Sequence, residues 1–250
     1  MKKNSGLNLL YKYLGETPLE TITRFKKDNP EYINESMTYA GRLDPMAEGL
    51  LIVLSGDEIK DKGKYQDLPK TYEFEVLWGV ETDTLDLLGL VVKSEKLKVE
   101  RKKIEEYLKN SVGKFEQKYP AYSSKPVSGK SLFQWAREGR IGEVDIPSHE
   151  VLVFEINFLE RRNISGSELL KDVEEKISKV SGDFRQKEIL NEWRKVLNEN
   201  LNIEFTIDKI EAKVSSGFYV RQFVNDLAKT FGTTATTFHI KRTKVGGFIL

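Results

Sequence analysis

The sequence contains no cysteine and only two histidines, His149 and His239. Without cysteine the chain cannot form a disulfide, a thiolate nucleophile or a zinc site built on thiolates, and two histidines far apart in sequence do not suggest a histidine metal cluster. We therefore assign both histidines to structure and expect neither a metal site nor a metal cofactor. Any chemistry must use carboxylates, hydroxyls, lysines, arginines and tyrosines.

Long apolar runs are also absent. No stretch approaches the roughly 20 apolar residues that cross a membrane, and the N-terminal MKKNSGLNLLYKYLG lacks the apolar segment and cleavage site of a secretory signal. We therefore expect a cytoplasmic protein that does not bind membranes. Neither sign of charge dominates, since 40 basic and 39 acidic residues give a net charge of +1, so total charge alone does not indicate a nucleic-acid-binding protein.

Hydrophobic periodicity and capping signals predict a mixture of helices and strands. Thr17-Pro18-Leu19-Glu20 has the pattern of a helix start, with a capping residue, a proline and a glutamate three residues after the cap. Further helices are predicted over residues 99–112, 131–139 and 219–231. Strands are predicted over residues 50–54, 70–78, 149–160, 203–217 and 236–248. Because strands and helices do not alternate regularly, the order favours an α+β fold over a doubly wound sheet.

A helical hairpin interrupts this order at residues 161–200. Ser165-Gly166-Ser167-Glu168 is a capping box, and apolar residues at helical spacing follow on both sides of a Gly182-Asp183 break. Forty residues are few for an independent fold without disulfides or metal. We therefore predict one domain, residues 1–250, that carries the hairpin as an insertion, and we expect a short turn to be able to replace residues 165–200.

The stretch YAGRLDPMAEGLLIVLSG, residues 39–56, places Asp44 directly before a proline and between glycines. One interpretation is a turn, because Asp-Pro favours turns and glycine tolerates unusual backbone angles. The other is that Asp44 is presented at the mouth of a cleft to react. The residues of this stretch alone leave both interpretations open.

Four segments, taken in order, resemble the motifs of the TruB family of pseudouridine synthases. They are AGRLDPMAEGLLIVLSGDEIK (40–60), KTYEFEVLWGVETDTLD (70–86), YPAYSSKPVSGKSLFQWAREG (119–139) and SSGFYVRQFVNDLAKTFGTTATTFHIKRTKVGGF (215–248). Together they span nearly the whole chain apart from the insertion. The resemblance implies the pseudouridine synthase catalytic fold, a mixed and mostly antiparallel sheet flanked by helices.

The resemblance also implies an activity, the isomerisation of a uridine in the tRNA T-loop, at position 55, to pseudouridine. In that reaction Asp44 would be the catalytic carboxylate, either as a nucleophile at C1′ or as a base that gives a glycal, and Arg221 would pair with it. Tyr72 and Tyr219 would border a uracil turned out of the RNA. Tyr39 and Ile240 are further expected substrate-binding residues. Expected phosphate contacts are Lys12, Arg42, Lys125 and Arg242.

The expected partner is the T-arm of tRNA, with no DNA partner and a monomeric protein. No organic cofactor is expected, because no group leaves the substrate in the isomerisation. Three departures from the family pattern concern the substrate: Lys12-Tyr13-Leu14-Gly15 replaces Lys-Pro-x-Gly, Tyr39 stands where bacterial members commonly have histidine, and Arg42 is the residue found in the sister families. Since the sequence ends at Leu250, directly after the last catalytic strand, we expect no C-terminal PUA domain. The charges of the insertion nearly balance, so we do not expect it to replace that domain as the main grip on RNA.

Two alternative functions stay open at this point. One is a non-catalytic module that binds and folds tRNA, and the other is a pseudouridine synthase that acts on ribosomal or messenger RNA. The presence of Asp44 together with Tyr72, Tyr219 and Arg221 favours catalysis.

Overall fold

The protein is described by a computed structural model that covers residues 6–95 and 99–250. Residues 1–5, which belong to the N-terminal stretch considered for a secretory signal, lie outside this range. The described α-helices are α1 (Pro18–Asp28), α2 (Lys62–Gln66), α3 (Arg101–Asn110), α4 (Leu132–Arg137), α5 (Gly166–Ser178), α6 (Gln186–Asn198) and α7 (Val220–Thr230). Short 3₁₀ helices occupy Pro30–Tyr32, Gly56–Asp61 and Ile141–Glu143.

The described strands are β1 (Gly6–Lys12), β2 (Met37–Ala40), β3 (Ala47–Ser55), β4 (Lys70–Trp78), β5 (Val80–Thr82), β6 (Val91–Ser94), β7 (Gly113–Lys118), β8 (Pro126–Val127), β9 (Lys130–Ser131), β10 (Ser148–Ser165), β11 (Glu204–Val214), β12 (Ala235–Val245) and β13 (Phe248–Ile249). The central sheet has the order β1-β3-β12-β4-β11-β10-β7, with β2 beside β3 and β13 beside β12. β3 and β12 run parallel, and the other described neighbours in this sheet are antiparallel. The predicted α+β fold with a mixed, mostly antiparallel sheet is confirmed.

Local sequence signals account for the position of several elements. The Thr17 hydroxyl accepts a hydrogen bond from the Glu20 N–H at 3.2 Å, and the Glu20 carboxylate accepts one from the Thr17 N–H at 2.6 Å, which completes the predicted capping box of α1. The alternating segment predicted as a strand over residues 70–78 is β4, with the predicted ends. No helix in the described ranges is long and apolar enough to cross a membrane.

The parallel pairing of β3 and β12 brings two distant motifs together. Ile240 of β12 lies opposite Ala47 of β3, and Arg242 lies opposite Gly49. Gly49 has φ +109°, and a Cβ there would come 2.3 Å from the backbone oxygen of Arg242, so only glycine allows this close approach. The segment that contains Asp44 is therefore held against the last long strand.

One face of the sheet is covered by α7, which buries Phe223, Val224 and Leu227. The ring of Phe223 meets Phe74 of β4 edge to face, with centroids 6.2 Å apart. Burying a side chain of this size stabilises the fold by roughly 1.5–3 kcal/mol. Packing of α7 on β4 therefore fixes the start of α7, where Arg221 lies.

The predicted insertion is a helical hairpin made of α5 and α6. Residues 161–165 still belong to β10, so the hairpin begins at Gly166 and not at residue 161 as predicted. A Cβ at Gly166 would come 2.1 Å from the backbone oxygen of Asn200, which is the close approach that closes the base of the hairpin. The indole N–H of Trp193 donates to the Leu87 carbonyl at 3.2 Å, and Trp193 is fully buried.

The hairpin is part of a hydrophobic core and not an appendage. Its buried apolar side chains are Leu169, Val173, Ile177, Ile189, Trp193 and Leu197. They share one cluster with residues of the central sheet, among them Leu77, Ile207 and Phe238. The expectation that a short turn could replace residues 165–200 therefore needs correction, because the replacement would expose both sides of this cluster.

We expect that replacing residues 166–198 by a Gly-Asn turn prevents stable folding. Six buried apolar side chains would be lost. Because burial of each contributes roughly 1.5–3 kcal/mol, the total loss would remove most or all of the roughly 5–15 kcal/mol free energy of unfolding of a typical domain. Urea unfolding followed by circular dichroism measures the effect. Arg194→Ala is the control, since its ion pair with Glu174 is exposed and should contribute less than about 1 kcal/mol. A deletion variant with the stability of the parent protein would contradict this assignment.

Candidate active site

Asp44 lies in the turn between β2 and β3, and this turn is held from the protein interior. Gly41, at φ +82°, starts the turn in a conformation that favours glycine. The Pro45 carbonyl accepts from the Gly15 N–H at 2.9 Å, and the Lys12 ammonium donates to the Ala47 carbonyl. The backbone around Asp44 is therefore fixed, while the Asp44 side chain is 35% exposed.

The guanidinium of Arg221 binds the carboxylate of Asp44. Arg221 Nε and Nη2 lie 2.9 and 2.8 Å from Oδ2 of Asp44. Nη1 of Arg221 donates to the Thr84 carbonyl at 2.6 Å, and Nη2 donates to the Tyr122 carbonyl at 3.2 Å. The Arg221 side chain is only 4% exposed. A buried cation, which hydrogen bonds to two carbonyls, thus holds one oxygen of a carboxylate that solvent still reaches.

A second carboxylate, Asp86, also lies near Nε of Arg221. Its Oδ2 is 3.7 Å from Arg221 Nε, and its Oδ1 accepts from the Thr84 hydroxyl at 2.8 Å and from the Leu88 N–H at 3.0 Å. Burial raises the pKa of Asp86 to about 6, although the charge of Arg221 lowers it, and the charge of Asp44 raises it further. For Arg221, burial lowers the pKa but the two carboxylates raise it above its ordinary value.

This buried carboxylate should make the stability depend on pH in a defined direction. The folded pKa of Asp86 is above its ordinary value of 3.8. The folded state therefore binds more protons between about pH 4 and pH 6, so this contribution to stability is present below pH 4 and lost as the pH rises through 6. The loss is about 3 kcal/mol from the size of the shift. We expect Asp86→Asn to remove it, as measured by urea unfolding of both proteins at pH 4.5, 5.5 and 7. If the free energy of unfolding changed equally with pH in the parent protein and in Asp86→Asn, the raised pKa would not belong to Asp86.

Aromatic and aliphatic side chains border a cleft of about 590 Å³ above Asp44. The cleft is lined by Leu43, Tyr72, Leu88, Tyr219 and Ile240, among others. Tyr219 is the N-cap residue of α7. Burial and the charge of Asp44 raise the pKa of Tyr219 to about 12, so it is a neutral phenol at pH 7. This volume is in the range of small-molecule and nucleotide pockets.

The structure brings together most of the predicted site residues but not all. Asp44, Tyr72, Tyr219, Arg221 and Ile240 line one cleft. Tyr39 does not line it; its ring is half-buried and packs with Ile22, Leu51 and Val53. The contact of Tyr39 with the substrate stays a prediction.

The predicted phosphate contacts divide into two groups. Arg42 is exposed at the cleft, and Lys125 is half-buried with its ammonium 5.0 Å from the Tyr119 ring centroid. Lys12 and Arg242 are buried, so their predicted contact with phosphate is corrected. Arg242 donates to the Leu50, Gly41 and Arg42 carbonyls at 2.8, 3.0 and 3.3 Å. Burial lowers the pKa of Lys12 to about 8. Both cations support the Asp44 turn from within.

Three parts of the site were not singled out from the sequence. Asp86 lies in the motif 70–86, but spacing does not tell which acid of that motif faces Arg221. Tyr122, in the motif 119–139, takes part through its backbone carbonyl. Because every residue type has a carbonyl, the sequence does not indicate this contact. Phe184 and Arg185 line the cleft from the hairpin, in a region without any recognised motif. Among residues 6–95 and 99–250, no three His, Asp or Glu side chains are grouped to hold a metal ion.

Comparison with known proteins decides the family. Residues 31–184 match the TruB family pseudouridylate synthase (N terminal domain). The chain belongs to the TruB family. Relatives of this family that are named tRNA pseudouridine synthase B include those of Caldicellulosiruptor saccharolyticus, 26% identical over 98% of this chain and 68% of that protein, and Thermotoga petrophila, 26% identical over 98% and 64%. That of Borrelia garinii subsp. bavariensis is 30% identical over 98% and 71%.

Solved structures agree on the fold of this TruB family member. A Cbf5-Nop10-Gar1 complex contains a chain that superposes with a TM-score of 0.60 at 17% identity, over 98% of this chain and 50% of that one. A chain of an H/ACA RNP bound to a substrate RNA containing 2′-deoxyuridine gives 0.57 at 17% identity, over 98% and 48%. The present chain thus spans about two thirds of the length of its bacterial relatives and half that of these structural neighbours.

Proposed function

We propose that this TruB family member isomerises uridine to pseudouridine in the T-arm of tRNA, at position 55, with Asp44 as the catalytic carboxylate. The observation that carries the proposal is the partly exposed Asp44 carboxylate, held by the buried Arg221 guanidinium beneath a cleft bordered by Tyr72 and Tyr219. The bacterial relatives named tRNA pseudouridine synthase B support tRNA as the substrate. For a protein that modifies tRNA we propose a cytoplasmic location.

The reaction needs only what the cleft provides. The N1–C1′ bond of uridine breaks, the base turns, a C5–C1′ bond forms, the C5 proton leaves to solvent and N1 gains a proton. Asp44 either attacks C1′ or removes a ribose proton, and both routes require its carboxylate to be ionised. The guanidinium of Arg221 stabilises that charge and fixes Oδ2. Because pseudouridine has the same composition as uridine, and the proton lost from C5 is matched by the one gained at N1, the reaction uses no cosubstrate, and we propose none.

The cleft walls suit a base that has left the RNA stack. A uracil inside a folded T-loop must be turned out before C1′ is accessible, and aromatic side chains compensate the lost stacking. Tyr72 and Tyr219 offer such faces, and Ile240 and Leu43 offer apolar contact. The exposed Arg42 lies at the same cleft, where a phosphate contact would position the nucleotide without reading its base.

The test is release of tritium from [5-³H]uridine in unmodified transcripts. A full tRNA and an isolated T-arm hairpin are compared with the same RNAs carrying cytidine at position 55, and with fragments of ribosomal and messenger RNA. We expect release from the first two and none from the cytidine controls. Release from ribosomal or messenger RNA alone would replace the proposed substrate, and tight tRNA binding without release would favour a non-catalytic tRNA-folding module. Light scattering of the same protein sample tests the proposed monomer.

A further inference from the structure

The loop between α5 and α6, residues 179–185, reaches the cleft. We call it the hairpin loop. Its residues Asp183, Phe184 and Arg185 line the cleft, and the hairpin that carries them follows the C-terminal end of β10. Gly15, next to the Asp44 turn, has φ +91°, and a Cβ there would come 2.2 Å from the Lys179 carbonyl oxygen. The hairpin loop is therefore seated directly on the backbone that supports Asp44.

Arg185 closes a three-residue cluster at the end of this loop. Its Nη1 lies 2.9 Å from Oδ2 of Asp83, and the Tyr122 hydroxyl donates to the same oxygen at 2.9 Å. The Arg185 guanidinium also lies over the Tyr122 ring, 5.0 Å from its centroid. Both members of the ion pair are less than a quarter exposed. Burial and the Asp83 charge raise the pKa of Tyr122 to about 12, so its hydroxyl keeps the proton that it donates.

This cluster ties together the two segments that hold Arg221. Asp83 is adjacent to Thr84, whose carbonyl accepts from Arg221 Nη1, and the Tyr122 carbonyl accepts from Nη2. The bond between the Asp83 and Tyr122 side chains therefore sets the separation of these two carbonyls. Oδ1 of Asp83 also accepts from the Leu90 N–H at 2.8 Å. Since the Leu90 N–H and the Tyr122 hydroxyl are neutral donors, Arg185 supplies the positive charge that balances the Asp83 carboxylate.

The backbone of Arg185 shows that its place is set by the hairpin and not by local preference. Arg185 has φ +63°, in the left-handed region that residues other than glycine seldom occupy. The hairpin core around Ile189 and Trp193 holds α6, and Arg185 is the residue directly before that helix. Such outliers persist where the surrounding structure imposes them, and they cluster at functional sites.

We propose that Arg185 is a positioning residue for the isomerisation: through Asp83 and Tyr122 it fixes the carbonyls of Thr84 and Tyr122, and so aims the Arg221 guanidinium at Asp44. The inserted hairpin is then a component of the active site and not only a structural addition. This inference rests on the proposed function for its kinetic consequence, whereas its geometric consequence for Arg221 holds in the protein without RNA.

Kinetic constants of Arg185→Ala provide the first test. We expect kcat to fall about 10- to 100-fold with KM within about threefold, because a displaced Arg221 weakens chemistry and not RNA binding. Arg185→Lys should recover part of the loss, since an ammonium restores the charge but not the planar fork. Arg194→Ala, in the same hairpin but in an exposed ion pair with Glu174, should stay within about twofold of the parent protein.

A second pair of measurements keeps the inference testable if Arg185→Ala folds poorly or the RNA assay shows no turnover. Tyr122→Phe breaks the same cluster from the other side, and the double variant with Arg185→Ala should be no slower than the slower single variant. In the protein without RNA, NMR should show faster exchange of the Arg221 Nε–H in both single variants and unchanged exchange in Arg194→Ala. Unchanged Arg221 exchange, a kcat within about twofold, multiplicative losses, or a rise in KM alone would each overturn the positioning role.

Discussion

Asp44→Asn is expected to lower kcat for pseudouridine formation by at least about 10³-fold while tRNA affinity changes by less than about threefold. The substitution keeps the shape of the side chain but removes the negative charge, so neither attack at C1′ nor removal of a ribose proton is available. It also leaves the Arg221 guanidinium with an amide oxygen in place of a carboxylate, which weakens a contact that is now 2.8 Å long.

The size of this effect follows from the position of Asp44. Asp44 is the partly exposed acid that the buried Arg221 binds. Asp86, the other carboxylate near Arg221, is buried, and Asp183, which also lines the cleft, pairs with Arg137. RNA affinity should survive, because phosphate contacts come from exposed cations and not from Asp44.

Two measurements separate catalysis from folding. Tritium release under single-turnover conditions gives the chemical rate, and filter binding gives the affinity for tRNA. Asp226→Asn is the matched control, because Asp226 is a partly buried acid on α7, the helix of Arg221, and accepts a hydrogen bond from Gln222 at 2.8 Å outside the cleft. Its kcat should match that of the parent protein. Activity of Asp44→Asn within about tenfold of the parent protein would end the catalytic assignment of Asp44.

The sequence predicted helices and strands well where local signals are strong. The capping box at Thr17, the alternation over residues 70–78 and the helical spacing after Tyr219 each correspond to an element of the structure. The capping box at Ser165 located α5, but the preceding strand extends to Ser165, because β10 pairs with β11 as far as Glu204. Pairing between distant strands extends an element beyond what its own residues indicate.

Charge type alone did not tell surface cations from interior ones. Lys12 and Arg242 have the residue types of phosphate contacts, yet both are buried and donate to carbonyls around Asp44. Whether a cation faces solvent depends on which strands flank it, and β12 is flanked by β3 and β4. Residue type likewise does not show which way Tyr39 of β2 faces: its ring packs in an apolar cluster and does not line the cleft.

Contacts made by the backbone were the least predictable part of the site. Arg221 is held by the carbonyls of Thr84 and Tyr122, and any residue type supplies a carbonyl. The role inferred for Arg185 depends on a hairpin that folds back over the sheet, so no spacing within the chain reveals it. Sequence motifs therefore located the acid and its arginine, and the structure was needed for what holds the arginine in place.

Arg221→Lys is expected to lower kcat by about 10²- to 10³-fold and to reduce the free energy of unfolding by about 2–4 kcal/mol. Lysine keeps the charge, but a single ammonium cannot reach Oδ2 of Asp44, the Thr84 carbonyl and the Tyr122 carbonyl together, as the guanidinium does at 2.6–3.2 Å. The buried carbonyls lose their donors, and Asp44 loses the contact that fixes its orientation.

Arg161→Lys is the matched control for that loss of stability. Arg161 binds both oxygens of the buried Asp208 at 2.7 and 2.8 Å and the Val99 carbonyl at 3.0 Å, on β10 and away from the cleft. Urea unfolding should show a comparable loss in both variants, whereas single-turnover tritium release should fall in Arg221→Lys alone. If the two variants lost activity in proportion to their stability, Arg221 would be a structural residue and its pairing with Asp44 would have no specific part in the chemistry.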